Sequence, residues 1–380
     1  MFWPAERDRD QLRAEVARFD PDLPIERAFT PPGSWYVDRR FHDLDRRAVF
    51  GRSWLPACRA ELVAEPGAYA SGCIAGLPWV VVRGDDGVLR GFHNSCRHKG
   101  REVVIGAGRA DQALVCGYHA WTYALDGRLR TAPRMAGVEA FDRPAMSLVP
   151  LAVEAWGPWV FLHVDPAARP LAPRLPELER RLVARGWDRY RYVGSAEWVV
   201  EANWKTVVDN YLDGGYHVPH MHPSLRGQID MDRYTTDIFA DYSIQHAPAA
   251  PDPDPGLAVD ARARIGEGAI YAWIHPCFMI NVYGPCIDTN VVVPLGHDRC
   301  RIEYDFFFAI DQGEAGERFV RDSMAQSAVT QAEDKEICES VQIGLQSPSY
   351  DHGRYAPRLE MGEHHFHRLL SADYRDALGS

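Results

Sequence analysis

The chain has 380 residues, with 42 basic and 53 acidic side chains and a formal net charge of −11. This balance argues against a nucleic-acid-binding protein, because phosphate contacts need a basic surface. It suits a cationic substrate, or simply a protein that needs charge to stay in solution. The length predicts two or three domains, and a hydrophobic content of 46% is ordinary for globular proteins.

The cysteines and the N-terminus predict a cytoplasmic protein. The eight cysteines are dispersed rather than densely paired, which favours free thiols in a reducing compartment. The first ten residues, MFWPAERDRD, are charged and lack the apolar stretch of a signal peptide. No run approaches eighteen apolar residues, so we expect no membrane span and no membrane partner.

In chain order, the first half predicts a helix, an extended arm and a small all-β domain. Apolar residues at helical spacing predict a helix over 5–19, and the proline-rich, polar stretch 24–44 predicts a surface loop. Short β-type runs follow, and the GDDG sequence at 84–87 predicts a hairpin turn. We therefore expect an N-terminal helix and arm over 1–48 and an all-β domain over 49–166.

The second half predicts a mixed α+β domain over 167–380, which begins with a linker at 167–170. The proline-rich stretch 247–255 predicts a loop. The remaining patterns predict helices at 176–185, 203–213 and 313–343, with strands at 189–202 and across 269–308.

Two short turns inside the β domain each pair one cysteine with one histidine. Cys96 and His98 form the first pair, and Cys116 and His119 form the second, with seventeen residues between His98 and Cys116. Two thiolates on one iron and two imidazoles on the other are the ligands of a Rieske [2Fe-2S] cluster. A structural zinc is the alternative, but zinc sites usually pair like ligands. The mixed turns favour the cluster, and thus a protein that takes up single electrons.

Three histidines lie within six residues of the second domain. His217 and His222 are five residues apart at a predicted helix end, and His220 lies between them as a surface or supporting residue. An iron(II) that activates O2 is held by two histidines and one carboxylate, with positions left open. Glu333 and Asp334, on the long C-terminal helix, are candidates for that carboxylate. A solvated, histidine-rich loop is the alternative interpretation.

Together these motifs resemble those of the Rieske non-heme iron oxygenase alpha subunits over nearly the whole chain. The motifs are C-R-H…C-G-Y-H, N-W-K…D-N-Y-L-D-G-G-Y-H-V-P-H-M-H and E-D…C-E-S-V-Q-I-G-L-Q-S-P-S-Y. The branch that the chain resembles most is that of the choline monooxygenases, on D-N-Y-L-D-G-G-Y-H-V-P and on 281–285 with 288–290. Such enzymes hydroxylate an N-trimethyl alcohol to an aldehyde hydrate.

The resemblance implies a fold and two sets of metal ligands. The fold is an all-β Rieske domain followed by a catalytic domain with a helix-grip, START/Bet v1-like antiparallel sheet. Asp334 becomes the favoured third ligand of the mononuclear iron. The full set is Cys96, His98, Cys116 and His119 for the [2Fe-2S] cluster, and His217, His222 and Asp334 for the mononuclear iron.

The resemblance also implies a homotrimer in which the cluster of one subunit serves the iron of the next. A carboxylate would bridge His119 to His217 across that boundary. Many family members place this acid three residues before the first iron histidine, where this chain has Gly214. We therefore favour Asp213, with Asp209 in reserve. Asn210, in the same motif, is a further catalytic candidate, and Ala120 replaces a common glycine without functional consequence.

The expected reaction is O2-dependent hydroxylation of a small organic substrate. The chain shows no nucleotide or flavin signature, so electrons from NAD(P)H would arrive through a separate reductase or ferredoxin. Aromatic faces hold quaternary ammonium groups, and the pocket candidates are Tyr271, Trp273, Phe278 and Tyr283. An aromatic-ring hydroxylating dioxygenase or an O/N-demethylase is the alternative, and a non-catalytic Rieske electron-transfer protein is a remote one.

Overall fold

The computed structural model describes residues 6–222, 227–251, 263–309 and 313–379. These residues form two compact units: Phe50–Arg174, and the described parts of Met1–Val49 with Leu175–Ser380. The first unit is all-β, and the second combines an antiparallel sheet with helices. The predicted fold class is therefore confirmed. The functional division at 1–48, 49–166 and 167–380 stays a prediction.

The unit Phe50–Arg174 contains a seven-stranded sheet in the order β1-β10-β9-β4-β3-β2-β5 and a three-stranded sheet in the order β6-β7-β8. The predicted hairpin turn at 84–87 joins β3 to β4, and Gly87 has the positive φ that such a turn needs. The strands are β1 Leu55–Arg59, β2 Ala68–Ile74, β3 Leu77–Arg83, β4 Leu89–His93, β5 Ala107–Arg109, β6 Ala113–Val115, β7 Thr122–Ala124, β8 Leu129–Thr131, β9 Pro150–Trp156 and β10 Trp159–His163.

The other unit is built on a seven-stranded antiparallel sheet in the order β11-β17-β16-β15-β14-β13-β12. Its strands are β11 Arg191–Val200, β12 Thr235–Ile238, β13 Tyr242–Pro248, β14 Gly268–Ile274, β15 Phe278–Tyr283, β16 Cys286–Pro294 and β17 Cys300–Phe308. Its helices are α1 Glu6–Val16, α2 Ser34–Val37, α3 Arg39–Leu44, α4 Pro176–Ala184, α5 Trp204–Leu212, α6 Val218–Met221, α7 Glu314–Leu345 and α8 Met361–Leu378. In the described ranges, no helix is both long and apolar enough to cross a membrane.

The predicted loop over 24–44 is wrong in its second half, which forms α2 and α3. The Asp38 side chain caps α3 by accepting a hydrogen bond from the Arg40 backbone N–H at 2.9 Å. Trp35 and Phe41 are completely buried, so packing rather than local propensity stabilises these short helices. Of the predicted proline-rich loop 247–255, residues 252–255 lie outside the described residues.

A buried ion pair fixes the start of α5, the helix that leads to the predicted iron ligands. Lys205 Nζ donates to Asp45 Oδ2 at 2.5 Å, and neither side chain is exposed. Trp204 Nε1 donates to the same carboxylate at 2.8 Å, and the Tyr374 hydroxyl donates to its other oxygen. One buried carboxylate therefore links the N-terminal segment to α5 and α8.

We predict that Asp45→Asn destabilises this unit by about 3–5 kcal/mol, because it leaves the Lys205 ammonium buried without a counter-charge. Chemical denaturation followed by circular dichroism measures the loss in the free energy of unfolding. Asp10→Asn is the matched control, since the Asp10 side chain is 67% exposed in its ion pair with Arg13. Equal effects of the two substitutions would contradict the role of the buried pair.

Candidate metal centres

Three side chains from two segments of the second unit point at one position. His217 Nε2 and His222 Nε2 are 3.1 Å apart, and Asp334 Oδ1 lies 3.5 Å and 3.1 Å from them. Ligands about 2.1 Å from one metal and at right angles to each other lie about 3 Å apart. Two imidazoles and a carboxylate in this arrangement therefore fit one face of an iron site, with the opposite face open.

A sharp turn between α5 and α6 brings the two histidines together. Gly214 and Gly215 both have positive φ, at 69° and 72°. A Cβ on Gly214 would lie 2.2 Å from the Leu359 carbonyl oxygen, so no side chain fits there. Position 214 therefore has to be a glycine in this fold, and Asp213 directly precedes it.

Each histidine of the triad donates its other ring nitrogen to a carboxylate. His217 Nδ1 is 2.6 Å from Asp213 Oδ2, which also accepts from the His217 backbone N–H at 3.0 Å. His222 Nδ1 is 2.7 Å from Glu333 Oε2. Such contacts fix the ring orientation and leave Nε2 free for a metal. Glu333 and Asp334, which sequence reasoning left as alternatives, thus occupy different positions around His222.

The other predicted residues of this motif divide between the triad and a neighbouring network. Asn210 Nδ2 donates to Asp334 Oδ1 at 3.0 Å, which orients the carboxylate. Asp209 accepts from the Tyr36 hydroxyl at 2.8 Å and lies 3.0 Å from His367 Nε2. His220 is exposed on α6.

The charges of the triad suit a cation. Burial lowers the pKa of His217, but hydrogen bonds to Asp213 and Asp334 outweigh it and raise that pKa to about 10. Burial likewise raises the pKa of Asp334, whereas the two histidines more than reverse this and hold it well below its usual range. Two imidazoles beside an ionised carboxylate suit a divalent iron, whose binding would release protons from the histidines.

The two turns of the all-β unit bring their four side chains together in the same way. His98 Nδ1 and His119 Nδ1 are 3.1 Å apart, the same separation as in the histidine pair of the triad. Cys96 and Cys116 are buried next to each other, and burial raises the pKa of the Cys116 thiol. A pair of adjacent thiols and a pair of adjacent imidazoles fit the two irons of a Rieske cluster, whereas a structural zinc needs all four ligands around one ion.

Side chains around the turns hold this arrangement. Tyr123 Oη lies 3.3 Å from Cys96 Sγ and accepts from the Arg97 backbone N–H at 2.9 Å. The buried Trp121 ring stacks on His98 at a centroid distance of 5.1 Å. Ala120 has a φ of 56°, so the position adopts the left-handed conformation that glycine favours, and alanine tolerates it at a cost of about 1–2 kcal/mol. His119 is exposed to solvent.

A cavity of about 160 Å³ lies between the sheet of the second unit and helices α5 and α7, and it reaches the triad. One water needs about 10–15 Å³ of such volume, so the cavity has room for roughly ten waters or an equally small organic molecule. The aromatic side chains that line it are Tyr211, Tyr234, Tyr271, Tyr283, Tyr304 and Phe306.

Of the four pocket candidates, Tyr271 and Tyr283 line this cavity, whereas Trp273 and Phe278 do not. Trp273 lies further along β14, where it packs edge-on against Phe366 of α8 at 5.4 Å. On β15, Met279, Asn281 and Tyr283 face the cavity. Because successive residues of a strand point to opposite faces, Phe278 points away from it. The sequence does not show which of the two alternating sets of residues on β15 faces the cavity.

Sequence reasoning missed several lining residues that carried a usable signal. Tyr211 directly follows Asn210 in the iron-site motif, and Tyr304 and Phe306 alternate on β17. Asp288 and Asn290, in the motif that supported the choline monooxygenase resemblance, also line the cavity.

Comparison with known families identifies both units. Residues 53–142 match the Rieske [2Fe-2S] domain, and residues 187–375 match the catalytic domain of the ring hydroxylating alpha subunit. A choline monooxygenase of Arabidopsis thaliana is 39% identical over 372 residues, which cover 93% of this chain and 85% of that protein. The chain belongs to the Rieske non-heme iron oxygenases.

Other members of this oxygenase family are also similar to this chain in sequence and in structure. The carnitine monooxygenase oxygenase subunit of Escherichia coli K12 is 30% identical, over 92% of this chain and 95% of its own length. The solved structure of the quaternary ammonium Rieske monooxygenase CntA with L-carnitine has a TM-score of 0.78 and 28% identity, over 94% of this chain and 97% of that one. A naphthalene 1,2-dioxygenase from Rhodococcus sp., with a TM-score of 0.73 and 19% identity, shares the fold.

The family membership settles the reaction class and the cofactors. The protein is an oxidoreductase of the monooxygenase and dioxygenase type that uses O2 and externally supplied electrons. Its cofactors are a Rieske [2Fe-2S] cluster and a mononuclear iron. A non-catalytic electron-transfer protein, the remote alternative, is excluded.

We predict that His222→Ala removes the mononuclear iron and leaves the Rieske cluster in place, because the His222 ring lies 3.1 Å from Asp334 and 2.7 Å from Glu333, in a different unit from the four cluster residues. Metal analysis should show the loss of one iron per chain, with the visible absorption of the cluster unchanged. His220→Ala is the matched control and should keep all its iron, since His220 is exposed. Loss of the cluster spectrum in His222→Ala would refute this division of the ligands.

Proposed function

We propose that this protein is the oxygenase component of a system that hydroxylates a small quaternary ammonium compound, as the choline and carnitine monooxygenases do by name. The observation that carries the proposal is the cavity, in which tyrosine rings converge above the two-histidine, one-carboxylate triad. Electron-rich ring faces attract an alkylated ammonium without needing a hydrogen bond from it.

Hydrogen bonds hold two of the tyrosines that line the cavity in fixed positions. Tyr211 anchors one wall, because its hydroxyl donates to Asn281 Oδ1 at 2.7 Å and to the Ala272 carbonyl at 3.1 Å. Tyr234 is held by its bond to Gln245 Oε1 at 2.8 Å. With their hydroxyls engaged, these rings offer fixed faces to a cation.

We assign the ligand roles to the residues that the geometry brings together. Cys96, Cys116, His98 and His119 would hold the cluster, and His217, His222 and Asp334 would hold the iron, which when bound activates O2. Asp213 would carry the electron between the centres: it already accepts from His217 Nδ1, and its acidic side chain suits a second bond to an exposed His119.

The assembly and the cellular setting complete the proposal. We propose a homotrimer in which the exposed His119 of one copy meets Asp213 of the next. Electrons would come from NAD(P)H through a separate ferredoxin or flavin reductase, and the location would be the cytoplasm. In this arrangement the residues 1–48 support the catalytic region 167–380, and 49–166 carry the cluster.

We predict that the purified protein, supplied with NADH, a reductase and O2, consumes O2 in the presence of at least one of choline, glycine betaine and carnitine. The tyrosine-lined cavity favours these cations over a carboxylated ring such as benzoate. Oxygen uptake with coupled product formation is the measurement. Uptake with benzoate alone would contradict the proposal and favour the ring-hydroxylating alternative.

We predict that Asp213→Asn keeps both metal centres but slows reoxidation of the reduced cluster by about 10- to 100-fold, because the amide cannot replace the carboxylate between two histidines. Stopped-flow absorption of the cluster measures the rate. Asp209→Asn is the control, since Asp209 contacts Tyr36 and His367 instead of the triad. If Asp209→Asn slows the transfer and Asp213→Asn does not, the bridge has been assigned to the wrong residue.

A further inference from the structure

Arg264 lines the cavity and has a hydrogen-bond donor without a partner among the described residues. Its Nη2 donates to the Tyr283 hydroxyl at 2.9 Å and to Ser327 Oγ at 2.6 Å. The guanidinium carbon lies 4.7 Å from the centroid of the Tyr283 ring. Its Nε is buried and has no hydrogen-bond partner among the described residues. A guanidinium has five N–H donors in a planar fork, so Arg264 keeps capacity for an oxygen acceptor.

The other charged groups of the cavity already have partners. Asp213 and Asp334 are bonded to His217, and Lys335 is paired with Glu339. Within the described part of the chain, Arg264 forms no ion pair with a carboxylate.

Asp288 is the remaining acid, and it does not meet Arg264 directly. One of its oxygens accepts from Asn281 Nδ2 at 2.5 Å, and the other accepts from the Tyr283 hydroxyl. Arg264 reaches it only through that tyrosine. Because burial also raises the pKa of Asp288, its carboxyl is a weak counter-charge for the arginine.

The position of Arg264 sets a length for the molecule that would use it. Ser327 and Asp334 both lie on α7, seven residues apart. At 1.5 Å per residue this is about 10 Å along the helix. An anion held by Arg264 would thus lie about two helical turns from the iron. The guanidinium also covers one face of Tyr283 and repels a second cation, so an ammonium is directed to the other tyrosines.

We infer that Arg264 forms an anion-binding subsite at the far end of the cavity, and that the substrate is a zwitterion with a carboxylate as well as a quaternary ammonium. This inference rests on the proposed function, because it assigns the second end of the same ligand. The carboxylate accepts hydrogen bonds from the guanidinium of Arg264 where it lines the cavity, and the ammonium lies among the tyrosines nearer the triad. A substrate of this kind presents its ammonium end, rather than its acid end, to the iron.

A matched pair of ligands tests the subsite in the holoenzyme. γ-Butyrobetaine carries the carboxylate, and its primary amide keeps the shape and the ammonium but loses the negative charge. Steady-state O2 uptake and product formation are measured for both, with glycine betaine and choline alongside. The wild-type protein should show a KM for γ-butyrobetaine about 10- to 100-fold below that for the amide, as a charge-assisted hydrogen bond to a half-buried arginine provides.

Two variants and a control locate the effect. Arg264→Gln should raise the KM for γ-butyrobetaine about 10- to 100-fold and leave the KM for its amide within about 2-fold. Arg264→Lys keeps the charge but not the planar fork, so its KM for γ-butyrobetaine should lie between those of the wild type and Arg264→Gln. Arg185→Gln is the matched control, because Arg185 is equally half-buried, donates to the Gly268 carbonyl and does not line the cavity. Cluster absorption and iron content verify that each variant is folded and loaded.

The outcomes separate this inference from the proposed function. Loss of the preference for γ-butyrobetaine over its amide in Arg264→Gln alone supports the subsite. Turnover of choline with no turnover of any carboxylated compound overturns the subsite and leaves the proposed function standing. Equal changes for acid and amide in Arg264→Gln also overturn it, because Arg264 would then only balance Asp288. No turnover of any quaternary ammonium compound overturns the proposed function as well.

Discussion

The hydrogen bond between Asp213 and His217 is the contact on which the catalytic unit depends. The carboxylate holds both the ring and the backbone N–H of His217, so the chain must turn sharply between α5 and α6. Two left-handed glycines make that turn, and the Leu359 carbonyl fills the space that a side chain would need. His217 and His222 can then face Asp334 at one point. One acid thus positions a proposed iron ligand through both its ring and its backbone.

The two proposed metal centres use the same spacing for different purposes. In each, two imidazole nitrogens lie 3.1 Å apart. Buried thiols complete the first centre and His119 stays exposed, which suits a group that passes electrons on. A carboxylate completes the second centre, and His222 is almost fully buried beside a small cavity, which suits a group that meets O2 and substrate. Exposure, rather than ligand spacing, separates electron carrier from reaction site.

Sequence reasoning could propose most of the metal ligands because their motifs are short and local, and Asp334 needed the family resemblance. The residues that line the cavity depend instead on which face of a strand each one occupies and on which helix covers that face. Tyr271 and Trp273 share a face of β14, yet α8 covers only Trp273, and no pattern within the strand shows this. The family resemblance favours Asp213 as the bridging acid, and this role stays a proposal, but the reason that position 214 excludes an acid is a carbonyl 145 residues away in sequence. The short helices within 24–44 form through burial of Trp35 and Phe41, which a proline-rich pattern conceals.

A single-turnover experiment tests the central claim, that the cluster feeds an oxygen-activating iron in the tyrosine-lined cavity. The protein is reduced without O2 and then mixed with O2, with and without a quaternary ammonium substrate, while cluster absorption and product are followed. The account predicts that the substrate accelerates cluster oxidation and that hydroxylated product forms in proportion to the mononuclear iron. Cluster oxidation at the same rate in protein stripped of that iron, with no dependence on substrate, would contradict it.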